Sequence, residues 1–311
     1  MPDKCQKKLR TYLFGYPIRH SLAPLLHTVI FESLNVPWTY DLVESTEKND
    51  FLPMLHADDC AGASVTMPHK VAWLTECDQV TEEARAIGAI NTVYIRQDPV
   101  SGQTHYIGTN TDCIGVQEAF VQNYPHILAE STGRPALVVG GGGACRSAIY
   151  AAYKSLGASE IYLVNRDAKE IEGIRDWYAA TNDPPTLVHV STVDMARQLE
   201  PPVVVVGTVP DFQPSTTGEI LARDITMEFL KKDRKGYVLE MCYHPTISTR
   251  FYDLAQSSGW KVLPGTEAMI YQGLAQEVLW MERPMEDMPV EAAKAAIAQA
   301  LAERQKDLHI T

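Results

Sequence analysis

The chain has 311 residues, 45% of them apolar and 21% charged, with a formal net charge of −12. It has the composition of a soluble globular protein with room for two cores of ordinary size. The acidic balance argues against nucleic acid or an anionic membrane surface as the main partner, while a small anionic ligand, which feels local charges, stays open.

In chain order, the first eight residues put no apolar segment behind their charges, so no secretory signal is read there. Residues 11–15 read as a strand ending in a turn. Ser21 is placed as a helix N-cap with Pro24 in the first turn, where its missing N–H costs nothing. Leu22, Leu25, Leu26, Val29 and Ile30 follow at helical spacing and predict one buried stripe. Pro37 closes that helix, residues 38–43 alternate as a strand, and 61–66 form a third strand running into Pro68 and Lys70 at the next helix start. Strands 91–96 and 104–107 pair across a turn at 97–102.

The rhythm changes after Asp112. A helix at 114–123 precedes a short apolar strand, 136–139, which runs straight into Gly140-Gly141-Gly142-Gly143-Ala144-Cys145-Arg146. The next helix reaches about residue 156 and is closed by Gly157. Strands at 161–164, 203–206, 237–239 and 261–263 alternate with helices at 169–180 and 249–257, the pattern of a parallel sheet covered on both faces. Two amphipathic helices, 267–280 and 290–308, end the chain and are expected to pack back on the first part. The expected fold class is therefore α/β in two domains with a cleft between them: an α/β domain of 1–111 plus 267–311, and a Rossmann-type, doubly wound parallel sheet of 112–266. The longest β-like apolar run, 203–206, is too short to span a bilayer. Six scattered cysteines without a C-x-x-C pair point to reduced thiols in a cytoplasmic protein. The nine histidines, His20 and His27 included, show no ligand spacing, so no metal is expected.

A strand, then Gly140, Gly142, Gly143 and Ala144, then a helix is the dinucleotide fingerprint in its required context. The glycines close the turn and let backbone N–H groups approach a pyrophosphate at the helix N-terminus. Cys145 breaks the strict G-x-G-x-x-G pattern at its third glycine. The end of the second strand chooses the cofactor, since a carboxylate there suits the ribose of NAD and basic groups suit the phosphate of NADP. Asn165-Arg166-Asp167-Ala168-Lys169-Glu170 is mixed. Asp167 and Glu170 would repel a 2′-phosphate that Arg166 would welcome, and NAD is favoured over NADP.

Three further segments put a lysine, an asparagine and an aspartate on successive loops: Ser64-Val65-Thr66-Met67-Pro68-His69-Lys70, Gly88-Ala89-Ile90-Asn91-Thr92 and Gly108-Thr109-Asn110-Thr111-Asp112. With the opening Tyr12-Leu13-Phe14-Gly15-Tyr16-Pro17-Ile18-Arg19-His20-Ser21 and the closing Met241-Cys242-Tyr243 and Gly265-Thr266-Glu267-Ala268-Met269-Ile270-Tyr271-Gln272-Gly273, nearly the whole chain resembles the shikimate/quinate dehydrogenase family. The resemblance implies a substrate domain clasped to a Rossmann domain, with a small cyclic hydroxy acid as substrate. It makes Lys70 and Asp112 a catalytic dyad. Asn91, Thr66 and Gln272 would hydrogen-bond the ring hydroxyls, and Tyr243 and Ser21 would contact the carboxylate. Thr208 and Gly265 join the cofactor set. Oxidising a secondary alcohol removes the hydroxyl proton as hydride leaves. A buried lysine can take that proton near neutral pH, while a neighbouring aspartate holds positive charge on it, so the proton is not assigned within the dyad.

Two departures from the family matter. Shikimate enzymes carry Ser-x-Ser at the carboxylate clamp, where this chain has Ser21-Leu22-Ala23. The lost hydroxyl removes a charge-assisted hydrogen bond of about 1.5–3 kcal/mol and opens space beside C1, where quinate carries a hydroxyl. Family members also carry Asn where this chain has Ser64, a shorter side chain. Both argue against a housekeeping shikimate enzyme, and with the carboxylate Asp167 at the cofactor strand the expected activity is an NAD-dependent quinate dehydrogenase. The alternatives are a shikimate dehydrogenase that tolerates Ala23, a catalytically silent metabolite sensor, and a methylenetetrahydrofolate dehydrogenase. The presence of Lys70 and Asp112 weighs against the sensor, and the Asn91, Asp112 and Gln272 motifs against the last.

Overall fold

A computed structural model describes residues 4–244 and 246–310. The chain divides into two compact α/β units, Met1–Thr111 with Met269–Thr311, and Asp112–Ala268.

The first unit holds a six-stranded mixed sheet of β1 (Arg10–Gly15), β2 (Thr39–Glu44), β3 (Cys60–Val65), β4 (Gln79–Val80), β5 (Thr92–Gln97) and β6 (Thr104–Thr109), in the order β2-β1-β3-β5-β6-β4. β1 runs parallel to β2 and β3, and β5 is antiparallel to both β3 and β6. The β5–β6 hairpin closes with Gln97 opposite Thr104. In its turn the Asp98 carboxylate accepts from the N–H groups of Val100 and Ser101, and Gly102 takes φ +71°. One face buries Phe14, Phe51 and Trp73, with the Phe14 and Phe51 rings stacked at 4.5 Å.

Four expectations are corrected in this unit. Ser21 is not the N-cap, because the helix Ala23–Ser33 starts one residue later. Leu22 contributes the carbonyl that accepts the first helical N–H, from Leu26, and the Ser21 hydroxyl oxygen accepts instead from the Ala23 N–H at 3.1 Å. The buried face of this helix is Ala23, Leu26, His27, Ile30 and Phe31; Leu25 and Val29 are only half-buried. Lys70 lies in a turn rather than at an α-helix start, since only a 3₁₀ turn, Ala72–Thr75, follows it. The helix Gly265–Met281 is not amphipathic. It is buried on nearly every side, which forces its polar residues Gln276 and Glu277 to find partners inside. Trp280 on this helix sits where a Cβ on Gly62 would fall, and its indole N–H donates to the Val93 carbonyl at 3.0 Å.

The second unit is a six-stranded, all-parallel sheet of β7 (Ala136–Val139), β8 (Ile161–Val164), β9 (Leu187–His189), β10 (Val204–Gly207), β11 (Tyr237–Glu240) and β12 (Lys261–Pro264). The order β12-β11-β10-β7-β8-β9 is the doubly wound arrangement, with the switch point between β7 and β10. Leu137, Tyr162, Val205, Phe229 and Val238 lie in its core. The helix after the glycine-rich turn runs Gly143–Tyr150 and continues as a π-helical turn, Ala151–Ser155, before Gly157 at φ +70°. Two edge strands, β4 and β9, and the helices Val193–Gln198 and Thr217–Leu230 extend what the periodicity predicts. Among the described residues no helix is long and apolar enough to cross a membrane, and no three His, Cys, Asp or Glu side chains gather as a metal site.

Candidate functional site

Backbone hydrogen bonds tie the first unit's loops together at the carboxyl ends of β1, β3 and β6. Tyr16 N–H donates to the Met67 carbonyl, Thr66 N–H to Phe14, Val65 N–H to Asn91, Ile90 N–H to Lys70, and Asn91 N–H to Thr109. A Cβ on Gly15 would lie 2.4 Å from the Thr66 methyl and 2.8 Å from the Met67 carbonyl, so the β1 loop approaches the β3 loop as only glycine allows. His69, buried, bonds the Ser45 carbonyl through Nε2 at 2.9 Å and packs edge-on against Phe51, which fixes the turn carrying Lys70. The segments bearing Ser21, Thr66, Lys70 and Asn91 are thereby held at one end of one sheet.

Within this frame Asn91 and Gln272 come together. The buried Asn91 accepts at Oδ1 from the Thr111 N–H at 2.7 Å and from the Thr92 hydroxyl at 2.8 Å. Its Nδ2 donates to Gln272 Oε1 at 3.1 Å and to the Thr111 hydroxyl at 3.0 Å. Gln272 Nε2 donates to the Met269 carbonyl at 3.0 Å. Behind Asn91 the chain of hydrogen bonds continues into the core: Tyr40 donates to Ser64 at 2.8 Å, Ser64 to Gln276 Oε1 at 3.1 Å, and Gln276 Nε2 to Thr92 at 2.9 Å. Every donor in this series points the same way, which fixes the orientation of the Asn91 amide. Ser64 is thus locked between Tyr40 and Gln276. Thr111, Thr92, Gln276 and Tyr40 are absent from the site predicted by sequence. The four-residue spacing of Gln272 and Gln276 on one helix was the available signal.

Of the other predicted groups, Ser21 uses an oxygen lone pair on its own helix, leaving its hydroxyl hydrogen for another acceptor. Lys70 and Thr66 are half-buried. Asp112 is buried at the start of the helix Asp112–Asn123 in the second unit, where Tyr243 is half-buried in the segment after β11.

The glycine-rich turn fits a dinucleotide. Gly142, exposed, precedes the helix Gly143–Tyr150, and no side chain caps that end. A Cβ at Gly142 would meet nothing within 4 Å, so the surface beside the helix N-terminus is open to an anion. Gly140 differs: at φ +135° its Cβ position lies 2.1 Å from the Thr208 hydroxyl, which donates to the Val139 carbonyl at 2.8 Å. Ala144 is half-buried on the first helical turn. Cys145, in the third-glycine position, is fully buried, and burial pushes its thiol up to about 12. Gly265 lets the backbone come within 2.2 Å of a would-be Cβ from the Met241 carbonyl. At the end of β8, Asn165 donates to Glu170 at 2.6 Å, and Asp167 caps the helix Ala168–Ala179 by accepting from the Lys169 N–H at 2.9 Å. Arg166 is bound to Glu219 at 2.8 Å.

Residues 13–93 match the family model of the shikimate dehydrogenase substrate binding domain. A curated quinate dehydrogenase from Emericella nidulans is 44% identical over 313 aligned residues, covering 95% of each chain. Among solved structures, the dehydroquinate dehydratase and shikimate dehydrogenase portion of AroM from S. pombe aligns with a TM-score of 0.74 at 28% identity, over 94% of this chain and 53% of that one. Shikimate 5-dehydrogenase from Thermus thermophilus, in complex with NADP(H) and shikimate, aligns with a TM-score of 0.69 at 27% identity, over 93% and 99% of the two chains.

Proposed function

Because the chain belongs to the quinate/shikimate dehydrogenase family, we propose that it oxidises quinate to 3-dehydroquinate with NAD. That it is an NAD(P)-dependent dehydrogenase of the quinate/shikimate type follows from the family itself. The finer reading rests above all on the side chains at the end of β8. Asp167 and Glu170 are exposed carboxylates there, and the one arginine, Arg166, already holds an anion in Glu219. A 2′-phosphate would meet net negative charge, whereas ribose hydroxyls would meet hydrogen-bond acceptors. Quinate is favoured by Ala23, which is buried at the first helical position beside Ser21 and offers a methyl where a second hydroxyl would grip the carboxylate. The similarity to the Emericella nidulans relative supports the same choice.

Bound NAD supplies the acceptor for the hydride from the ring carbon. The substrate domain is assigned to the first unit and the dinucleotide domain to the second. Lys70 and Asp112 are the proton-transfer dyad of this reading, with the proton assigned to neither. Asn91 and Gln272, pre-oriented by the bonds to Thr111 and Thr92, bond the ring hydroxyls together with Thr66. Ser21, through its free hydrogen, and Tyr243 take the carboxylate. Gly142, Gly143 and Ala144 present N–H groups to the pyrophosphate, while Gly140, Thr208 and Gly265 shape the turns around it. Asn165, Arg166 and Asp167 face the ribose. Purified protein assayed with NAD and NADP, each with quinate and shikimate, tests the proposal. Quinate with NAD should exceed the other three combinations; a preference for shikimate with NADP would overturn it.

A further inference from the structure

Arg166 at the end of β8 argues for NADP, and its surroundings account for it. Its Nη1 lies 2.8 Å from Glu219 Oε1. Glu219 is not a passing surface partner. Its second oxygen accepts from the backbone N–H of Ser215 and of Thr216, each at 3.0 Å, and from the Ser215 hydroxyl at 3.3 Å. It is the third residue of the helix Thr217–Leu230 and closes a capping box with Thr216. Its side chain is 10% exposed, against 53% for Arg166. Those N–H donors, with the Arg166 guanidinium beside them, hold the carboxyl down to about 2, so it is ionised throughout the working range. The helix start also abuts Arg166 itself: a Cβ on Gly218 would lie 2.4 Å from the Arg166 carbonyl, so nothing larger than glycine brings Glu219 this close.

Resting on the dinucleotide reading above, we propose that Glu219 is a specificity-determining residue, which excludes NADP by occupying the Arg166 guanidinium. An arginine that would otherwise make a bidentate pair with a 2′-phosphate is committed to a carboxylate fixed by three other hydrogen bonds. A phosphate entering there must either displace Glu219 from its capping box or lie against its charge. Asp167 and Glu170 add repulsion; Glu219 removes attraction.

Glu219→Gln tests this cleanly, because glutamine at the third helical position keeps the capping box while surrendering the charge. Dissociation constants for NADH and NADPH are measured by nucleotide fluorescence, and kcat/KM with NAD and NADP in parallel, on wild type, Glu219→Gln, Arg166→Met and the double variant. The expected result is a rise in the NADP-to-NAD ratio on the order of tenfold in Glu219→Gln, matching one charge-assisted hydrogen bond gained. The rise should vanish in the double variant, whereas Arg166→Met alone should move the ratio less than about twofold. A general loosening of the helix start would not produce that non-additivity. If wild type binds NADH but Glu219→Gln leaves the ratio unchanged, or if its gain survives loss of Arg166, this proposal falls and the dinucleotide reading stands. If wild type binds neither nucleotide, both fall together.

Discussion

The buried pair of His27 and Glu277 should make the first unit lose stability as pH rises above neutrality. Both side chains are 0% exposed, and Nδ1 and Oε1 lie 2.5 Å apart. His27 Nε2 and Glu277 Oε2 find no hydrogen-bond partner among the described residues. The Tyr40 ring stacks on the imidazole at 4.1 Å, and Trp280 lies 5.3 Å away. Charge in such a place is costly. Burial drives the imidazole down to about 3, against a smaller opposing pull from the Gln276 side chain, and raises the carboxyl well above its ordinary range, so burial favours the uncharged form of both groups.

The two groups act in opposite directions. His27 titrates at 6.5 when unfolded, so below that pH the unfolded chain binds the extra proton and stability falls toward acid. Glu277 titrates at 4.5 when unfolded and higher when folded. Above 4.5 the folded chain holds the extra proton, and stability falls toward alkali until the raised pKa is passed. The slopes cancel between 4.5 and 6.5. Above 6.5 only the Glu277 slope is left, about 1.4 kcal/mol per pH unit for as long as the folded carboxyl keeps its proton. Urea unfolding over a pH series upward from 6.5 measures it. Glu277→Gln, whose amide N–H can still donate to Nδ1, should remove that slope. Glu240 in the second unit is also buried, with its carboxyl raised by burial, so Glu240→Gln serves as the parallel variant that separates the second unit's share. A Glu277→Gln protein that keeps the full loss above pH 6.5, on the Glu240→Gln background, would refute the argument. Truncation to Glu277→Leu should cost about 1–3 kcal/mol by orphaning Nδ1, and His27→Leu added to it should restore part of that loss.

Lys70→Ala should lower kcat by two orders of magnitude or more, the scale of a lost proton-transfer group, while NADH still binds; near-normal turnover would remove Lys70 from the chemistry. Ala23→Ser should raise kcat/KM for shikimate relative to quinate, and an unchanged ratio would mean that the first helical position does not read C1. Gly142→Ala should fold as wild type, since its Cβ meets open space, yet weaken NADH binding measurably. Gly140→Ala should instead cost about 1–3 kcal/mol of stability, from its φ of +135° and the Thr208 hydroxyl in the way. Equal thermal losses in the two variants would contradict that division.

Apolar runs and turn residues made most of the fold legible. The parallel strands of the second unit are short, continuous and apolar, and the Asp98–Gly102 turn announces the β5–β6 hairpin. The two-residue β4 and three-residue β9 carry too few side chains to show a period. The Ser21 cap misled by one residue because a serine before a proline-containing helix reads the same whether its oxygen serves the second helical N–H or the first. Arg166 looked like an invitation to NADP because its partner, Glu219, is 53 residues away in sequence.

The helix Gly265–Met281 shows why the polar interior was harder to see than the fold. Buried on nearly all sides, it places Gln272 against Asn91, Gln276 against Ser64 and Thr92, Glu277 against His27, and Trp280 against the Val93 carbonyl. On a helix with a solvent face the same letters could be ordinary surface residues. Burial converts them into obligations, because each unpaired polar atom there costs about 1–3 kcal/mol. The site's geometry follows from that constraint. Asn91 holds one amide orientation because the hydrogen bonds running from Tyr40 through Ser64, Gln276 and Thr92 leave only an acceptor's place for its Oδ1. Gln272 is aligned by the opposite end of that same amide.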